Sequence, residues 1–291
     1  MSNIAELFVD CRCTLGEGPI WHPTRNEIFW FDIIEQKLFC ANQDGQVINT
    51  WSFDEPVAAA AIIDNDQLLL ATASKLAKFS IASGEQEMVT PLEADNASTR
   101  SNDSRVNPAG GFWVGTMGLT AQKGAGSVYQ YRAGKLDKLF GDISIPNSTC
   151  FSPDGKTAYW TDTEVGIIRK CEIDSDTGLP VGEWQDHINM PDHRGAPDGA
   201  VIDSEGYMWS ARWGGSCVIR YAPDGTIDQT VEVPAPNVTC PAFGGEDLKT
   251  LYITTARQGL NEEQLAERPQ SGSVFSIRVD VAGLEETSVV L

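Results

Sequence analysis

Hydrophobic positions along the chain occur in short runs that are separated by turn residues. The runs are rich in Val, Ile, Trp, Tyr and Phe, and Gly, Pro, Asn and Asp bound them, which is typical of β-strands joined by tight turns. A sustained period of 3.6 residues is almost absent. One segment, NEEQLAERP at residues 261–269, favours a short helix that Pro269 would end. The pattern therefore predicts an all-β protein.

One phrase of this pattern recurs along the chain. Each copy begins at a turn, continues through a few apolar residues and a polar turn, and ends in a strand rich in Thr or Ala. The second copy, VAAAAIIDNDQLLLATA, is the weakest. The copies are about 40 to 50 residues apart, which is the period of a propeller blade. Six of them begin near Gly18, Val57, Asn102, Asn147, Pro197 and Asn237. The repeat predicts a six-bladed β-propeller in which each copy supplies the two inner strands of a blade.

The segments between the copies complete the blades. GSVYQY, GIIRKCEI, SCVIRYA and GSVFSI predict third strands, and a fourth strand leads to the next copy. Six blades use nearly the whole chain, so we predict one domain over residues 1–291. A propeller hides its sheet edges by closing its ring. The strand-like ends IAELFVD and TSVVL predict a ring closed by N- and C-terminal strands. Hairpins of a β-sandwich are the alternative, which six copies at blade spacing disfavour.

The charge of the chain restricts its partners. The sequence has 21 Lys and Arg residues against 41 Asp and Glu residues, a formal net charge of −20. Such a surface repels phosphate backbones and anionic lipid, so neither nucleic acid nor a membrane surface is an expected partner. A small anionic substrate stays compatible with it, because a bound cation can reverse the local field.

The N-terminal segment and the cysteines favour a cytoplasmic location. The start, MSNIAELFVDCRCTLGEG, has neither the basic region nor the long apolar run of a signal peptide. No stretch approaches the roughly 18 apolar residues of a membrane span. The seven Cys residues are odd in number and scattered, which fits a reducing compartment better than a disulfide framework. Cys11 and Cys13 are spaced C-x-C without a second pair nearby, so a zinc site there is not favoured.

The candidate chemistry is that of oxygen ligands. The chain lacks H-E-x-x-H, G-x-S-x-G, G-x-G-x-x-G and P-loop motifs, which disfavours zincin, α/β-hydrolase, dinucleotide and NTPase classes. In a propeller, the segments that enter the innermost strands converge beside the central axis. Here they carry Glu17, Asn102, Asn147, Asp198 and Asn237. Such groups would repel or go unsatisfied without a cation or ordered water between them. An all-oxygen set favours Ca²⁺, Mg²⁺ or Mn²⁺.

Each of these polar residues also has an ordinary explanation. Asn is common in turns, and so is the Asp of a PDG sequence. Asp198 differs from Asp154 of SPDG because it precedes the innermost strand rather than lying between strands. Glu17 is a poor turn former, and its flanking glycines let the side chain reach inward. The residues by themselves leave both explanations open.

Several motifs together resemble a known family. LGEGPIW, RSNDSRVNPAGGFWVGTM, PNSTCFSPDGKTAYWTDT and PDGAVIDSEGYMW are similar to the SMP-30/gluconolactonase/LRE family, the regucalcin-like lactonases. The likeness covers nearly the whole chain. RWGG at residues 212–215 and the stretch FGGEDLKTLYITTARQGL resemble the bacterial branch of xylonolactonases, arabinolactonases and gluconolactonases. The resemblance implies hydrolysis of a small-molecule sugar-acid lactone with one divalent metal ion. We expect Ca²⁺, with Zn²⁺, Mn²⁺, Mg²⁺ or Fe²⁺ as alternatives.

The resemblance also assigns residues by motif. It implies that Glu17, Asn147 and Asp198 ligate the metal, and that Arg100 and Asn102 contact the substrate and the open side of the metal. Animal members carry an acidic sugar-binding residue in the loop after GTM. Here that loop reads GLTAQKGAG at residues 118–126 and has no acid. Thr120 lies near the corresponding place and is expected to bind substrate instead.

The expected reaction is attack of water on a lactone carbonyl that the metal polarises. Asp198 is the candidate base, because a carboxylate at the edge of the metal can accept the proton of that water. Arg100 suits paired oxygen acceptors. Two alternatives stay open: hydrolysis of phosphotriesters or aryl lactones on the same scaffold, and calcium binding without turnover. A closed propeller is a poor bistable element for a calcium sensor. The sequence leaves open which sugar lactone is used, its ring size and the oligomeric state.

Overall fold

The computed structural model describes residues 3–189 and 194–291. Within these ranges the chain forms 24 β-strands, which pair in six antiparallel sheets of four strands each. The innermost strands of neighbouring sheets contact one another around a central axis. The prediction of an all-β, six-bladed β-propeller is confirmed.

Five of the blades are built from four consecutive strands, numbered from the axis outwards. Blade one contains β2 (Gly16–His22), β3 (Glu27–Asp32), β4 (Lys37–Asn42) and β5 (Val47–Ser52). Blade two contains β6 (Val57–Ile62), β7 (Gln67–Thr72), β8 (Lys75–Ser80) and β9 (Gln86–Pro91). Blade three contains β10 (Thr99–Val106), β11 (Phe112–Gly118), β12 (Gly126–Arg132) and β13 (Lys135–Ile143). Blade four contains β14 (Pro146–Phe151), β15 (Thr157–Asp162), β16 (Ile167–Glu172) and β17 (Gln185–Asn189). Blade five contains β18 (Ala196–Ile202), β19 (Met208–Trp213), β20 (Cys217–Tyr221) and β21 (Ile227–Glu232).

Burial decreases from the innermost strand to the outermost strand of a blade. In blade two, β6 reads VAAAAI and is buried at every position, whereas β9 reads QEMVTP and has no fully buried residue. A continuous apolar run is the pattern of a strand that is covered on both faces. The predicted third strands GSVYQY, GIIRKCEI and SCVIRYA lie in β12, β16 and β20, as the repeat required.

Hydrophobic clusters hold the blades together. In the described part of the chain there are six of them, one at each interface between neighbouring blades. Trp30, Trp113 and Trp209, each on the second strand of its blade, are fully buried in three of these clusters. Because each blade buries its faces only against its neighbours, the stability of the sheets depends on the closed ring.

The ring closes in blade six, where the first and last strands meet. This blade contains β22 (Asn237–Gly244), β23 (Thr250–Ala256), β24 (Val274–Arg278) and β1 (Glu6–Val9). In the pairing of β1 with β24, Glu6 lies opposite Ser276 and Leu7 opposite Phe275. Closure by N- and C-terminal strands is therefore confirmed.

The expectation that TSVVL at residues 287–291 takes part in this closure is wrong. Since β1 already pairs with the edge of β24, no edge is left there for the last residues. Residues 283–291, here called the C-terminal tail, instead run from blade five to blades two and three. Ser204 N donates to Ala282 O (2.9 Å) just before the tail, and Val289 N donates to Ile62 O (2.9 Å) near its end.

A short helix, α1 (Glu262–Glu267), lies in the connection between β23 and β24. Asn261 is its N-cap and exchanges hydrogen bonds with Gln264 in a capping box. The helix predicted at residues 261–269 is thus present, and it ends before Pro269. Over residues 3–189 and 194–291, no helix combines the length and the apolar character needed to cross a membrane.

Candidate metal centre and active site

A β-bulge interrupts the innermost strand of each blade at the same level. The register against the second strand shifts between Glu17 and Ile20, Val57 and Ala59, Ser101 and Ser104, Asn147 and Cys150, Pro197 and Ala200, and Val238 and Cys240. A bulge re-aims side chains and is common beside active sites. The polar residues singled out from the sequence lie in or next to these bulges.

In two blades the bulge places the residue after a predicted metal ligand in the left-handed region. Gly18 follows Glu17 with a φ of 55°, and Ser148 follows Asn147 with a φ of 56°. The hydroxyl of Ser148 donates to Asp198 O (2.6 Å), and this hydrogen bond offsets part of the energetic cost of the left-handed conformation. This hydrogen bond connects Ser148 of blade four with Asp198 of blade five.

A directional chain of hydrogen bonds crosses the site and joins three blades. Arg100 Nη1 donates to Asn102 Oδ1 (2.8 Å), and Asn102 Nδ2 donates to Asn147 Oδ1 (3.1 Å). Asn147 Nδ2 donates to Thr163 Oγ1 (2.8 Å), which donates to Pro197 O (2.9 Å). A guanidinium can only donate, so the direction of the whole chain is fixed. The amide oxygen of Asn147 is therefore on the side of Asn102.

Three buried carboxyl groups, those of Glu17, Asp103 and Asp198, lie near one another, and two of them, Glu17 and Asp198, are close to Arg100. Burial, and then the charge of Asp103, raise the pKa of Glu17 to about 8. Burial, and then the charges of Glu17 and Asp103, raise the pKa of Asp198 well above its ordinary value. Arg100 opposes both effects, but burial lowers its own pKa to about 10. Ionised Glu17 and Asp198 would thus carry more negative charge than the single guanidinium of Arg100 balances, whereas Asp103 interacts with Arg105.

These residues fit a hard divalent cation. Glu17 and Asp198 offer carboxylate oxygens and Asn147 offers an oriented amide oxygen, which are the donors that Ca²⁺, Mg²⁺ and Mn²⁺ prefer. Asp103 is held differently, since its Oδ2 accepts the backbone N–H of Thr149 (2.7 Å). Among the described residues, no three His, Cys, Asp or Glu side chains form a metal-binding group. A cation held here would take its third protein oxygen from the amide of Asn147, beside the carboxylates of Glu17 and Asp198.

The predicted ligands and two of the three predicted substrate contacts open into one cavity. It has a volume of about 540 Å³, and its lining includes Glu17, Arg100, Asn102, Asn147 and Asp198. The rest of the lining is mixed in polarity: Leu15, Met117, Ala121, Ile145, Thr163, Glu164, Ala196, Trp213, Gln258 and Gly259. Such a mixed wall suits a ligand with an apolar face and polar edges.

The structure places two other candidates outside this lining. Thr120 is exposed, and its backbone N–H donates to Gln122 Oε1 (3.1 Å); the neighbouring Ala121 reaches the cavity instead. Asn237 is buried, and its Nδ2 donates to Gln258 O (2.9 Å). Asn237 therefore contributes to the site by holding a lining residue.

Comparisons with known proteins identify the family of the chain. A family model described as the SMP-30/Gluconolactonase/LRE-like region matches residues 15–257. The chain belongs to this family. L-arabinolactonase from Azospirillum brasilense is 35% identical over 285 residues, covering 96% of this chain and 93% of that protein. The 6-deoxy-6-sulfogluconolactonase from Pseudomonas putida is 33% identical over 289 residues, covering 98% of both.

A solved structure of this family is similar over nearly its whole length. The crystal structure of the calcium-binding protein regucalcin from Agrobacterium tumefaciens has a TM-score of 0.96 and 38% identity, covering 99% of this chain and 97% of that one. The predicted family and the predicted enzyme class, a lactonase, are confirmed. The likeness to a calcium-binding protein supports a divalent metal.

Some residues in or near this candidate site carry no motif that identifies them in the sequence. Asp103 follows Asn102 directly, and a count of carboxylates near the bulges would have found it. Thr163 and Trp213 lie at or just after the ends of second strands, where no motif marks them. Glu164 is exposed at the rim of the cavity and supplies a carboxylate there, although the loop at residues 118–126 has none.

A larger depression, of about 790 Å³, lies at the outer edge of blade six. It shares no lining residue with the axial cavity. Its wall includes Asp247 and Arg278, which already form an ion pair with each other. The axial cavity is the better candidate, because its charged groups are buried and unbalanced.

Proposed function

We propose that the protein hydrolyses a sugar-acid lactone to the free acid with one divalent metal ion, Ca²⁺ in the first place, held by Glu17, Asn147 and Asp198. One observation carries the proposal: two buried carboxyl groups and an oriented amide oxygen open into the same cavity as a buried arginine. The lactonases and the calcium-binding protein to which the chain is similar support the substrate class and the metal.

When bound, the cation supplies a Lewis acid that stabilises negative charge on the lactone carbonyl oxygen. Asp198 accepts the proton of the attacking water, since its carboxylate borders both the metal position and the cavity. Arg100 is fixed by two bonds from Nη1, to Ser101 O (2.7 Å) and to Asn102 Oδ1. Its remaining N–H groups are available to bind oxygens of the lactone.

Different lining residues of the cavity would contact the apolar face and the hydroxyl groups of a sugar ring. Trp213 and Met117 offer apolar surface to the C–H face of the ring. Glu164 and Gln258 offer polar groups to its hydroxyls. Thr120 lies outside the lining of the cavity, on the loop that carries Ala121. We propose that Thr120 contacts only the larger lactones.

Metal removal tests the proposal directly. Initial rates are measured on five- and six-carbon aldonolactones and on hexaric-acid lactones, after the uncatalysed rate has been subtracted. We expect chelation to abolish the rate, and Ca²⁺, Mg²⁺, Mn²⁺, Zn²⁺ or Fe²⁺, added back one at a time, to restore it to different extents. A full rate in protein shown by elemental analysis to be free of metal contradicts the mechanism.

Two substitutions separate the roles of the residues. Asp198→Asn should lower kcat by about a thousandfold, the usual loss for a general base, and metal content measured in parallel separates loss of the base from loss of a ligand. Arg100→Ala should mainly raise KM. Arg278→Ala, an exposed arginine of β24, is the matched control and should leave both constants unchanged. A normal kcat for Asp198→Asn would rule out its role as base.

The same assays decide between this function and its alternatives. A higher kcat/KM on an organophosphate or an aryl lactone than on every sugar lactone would favour the phosphotriesterase alternative. Calorimetric Ca²⁺ binding without hydrolysis of any lactone would favour a binding protein. The cytoplasmic location and one domain over residues 1–291 stay proposals.

A further inference from the structure

Two cysteine sulfurs are in contact in the connection between β1 and β2. Cys13 Sγ donates to Cys11 Sγ at 3.5 Å, and Cys11 Sγ donates to Gly272 O at 3.3 Å. The intervening Arg12 has a φ of 53°, in the left-handed region. This conformation is uncommon for a residue with a side chain, and it accompanies a turn that brings both thiols to the same side.

A buried indole nitrogen lies against this pair. Trp30 is fully buried, and among the described residues its Nε1 has no oxygen or nitrogen acceptor. The indole is close enough to Cys11 and Cys13 for its N–H to lower the pKa of both thiols. An unpaired buried donor costs free energy unless it meets an acceptor, and a thiolate is a good one. The indole N–H thus favours an anionic sulfur, against the effect of burial.

The two thiols are unequal. Cys11 is partly exposed, and its pKa is lowered, mainly by the hydrogen bond from Cys13. Cys13 is buried, and its pKa is raised by Cys11 and by burial. A low pKa and access to solvent mark the reactive partner of a thiol pair. Cys11 is therefore suited to attack an oxidant, and Cys13 to resolve the product.

We propose that Cys11 and Cys13 form a reversible, peroxide-sensitive dithiol site. The Cys11 thiolate attacks one oxygen of hydrogen peroxide, the O–O bond breaks, and the leaving hydroxide takes up a proton to give water. The resulting Cys11 sulfenic acid is attacked by Cys13 sulfur, the S–S bond forms and a second water leaves. Two thiols and one peroxide thus give one disulfide and two waters, and a small-molecule thiol reverses the oxidation.

The other cysteines differ from this pair. Cys40, Cys150, Cys171, Cys217 and Cys240 are all buried, and the pKa of each is raised, first of all by burial. Buried thiols of this kind are inert towards peroxide. Oxidation should therefore be selective for residues 11 and 13 in the folded protein.

The sequence between the two cysteines provides the test. Trypsin cleaves after Arg12, so residues 1–12 and 13–25 separate when both cysteines are reduced. The full chain is treated with limiting hydrogen peroxide, free thiols are blocked with an alkylating reagent, and the protein is denatured and digested without reductant. We expect the two peptides to stay joined by a disulfide, or an uncleaved peptide 1–25 that is lighter by two hydrogens. A reducing agent should abolish both products.

Variants make the assignment specific. Cys11→Ser and Cys13→Ser should each lose the linked product, and Cys171→Ser, a buried cysteine of blade four, should keep it. If a serine variant fails to fold, the peptide map of the wild-type protein alone still shows whether Cys11 and Cys13 form a disulfide. Two results at a peroxide level that oxidises other cysteines would overturn the proposal. In the first, both Cys11 and Cys13 are recovered alkylated; in the second, they are over-oxidised but not linked.

Discussion

The backbone at Gly18 shows how closely the site depends on single residues. Gly18 lies on β2, the innermost strand of blade one, and faces Ala58 on β6, the innermost strand of blade two. Its φ is positive, and a Cβ there would lie 2.3 Å from Ala58 O. The conformation is unfavourable for a residue with a side chain, and the contact excludes one, because the atom in the way belongs to the backbone of a buried strand.

Gly18→Ala should therefore destabilise the protein and displace Glu17. We expect a loss of about 3 kcal/mol in the free energy of unfolding, from overpacking and left-handed strain together. Gly134→Ala is the matched control, since its φ is also positive but a Cβ would meet no described atom within 4 Å. It should lose only about 1 kcal/mol. Denaturant unfolding measures both, and equal losses would contradict the steric argument.

Among the elements, the C-terminal tail brings a charged group from the end of the chain to the innermost strand of blade three. β10 passes from the cavity, where it carries Arg100 and Asn102, towards the opposite face, where it carries Arg105. Glu286 of the tail pairs with Arg105 there, with Arg105 Nη1 at 2.7 Å from Glu286 Oε1 and both side chains largely buried. The pair, led by the Glu286 charge, raises the pKa of Arg105 against the effect of burial. The tail thus supplies the counter-charge for an arginine near the axis.

Glu286→Ala should leave that guanidinium buried and unpaired. The expected loss is about 2 to 4 kcal/mol in the free energy of unfolding, as for other broken buried pairs. Glu285→Ala changes the exposed neighbour in the same tail and should stay within about 0.5 kcal/mol of wild type. Thermal and denaturant unfolding measure the free energy of unfolding of both variants and of the wild type. A stable Glu286→Ala protein would show that the tail does not depend on this ion pair.

For the whole molecule, the dominant electrostatic feature is a net charge of −20. Self-repulsion of a strongly charged surface destabilises the compact state, and salt screens it. The axial carboxyl groups are a separate and local case, because they are buried, so that salt screens them little and a cation bound between them would be needed to offset their charge. Two kinds of cation should therefore stabilise the protein in two distinguishable ways.

The melting temperature should rise as NaCl increases from about 10 mM to about 150 mM, where the Debye length falls from about 30 to 8 Å. At matched ionic strength, CaCl₂ at a hundred times its Kd should add about 2.7 kcal/mol to the metal-free protein. Asp198→Asn should keep the response to NaCl and lose most of the additional effect of Ca²⁺. If NaCl and CaCl₂ act identically on the wild type, the axial groups do not bind calcium.

The sequence by itself determined the class and the number of repeats. Strand and turn chemistry is local, so short apolar runs between Gly, Pro, Asn and Asp indicated strands, and their spacing indicated blades. Equivalent positions of the repeats also converge by symmetry. For this reason the sequence groups Glu17, Asn102, Asn147, Asp198 and Asn237 as candidates, although they are far apart in the chain. The resemblance to the family then selects Glu17, Asn147 and Asp198 as the expected metal ligands.

Only the tertiary structure decided where individual side chains and chain ends lie. The conformation of the loop after β11 determines that Ala121 rather than Thr120 reaches the cavity, and the bulge of β10 accompanies the turn of Asp103 to the Thr149 amide. Packing between distant segments determines that the tail crosses to blades two and three, and that Trp30 meets Cys11 and Cys13. These outcomes depend on contacts between residues far apart in sequence, which a local pattern does not encode.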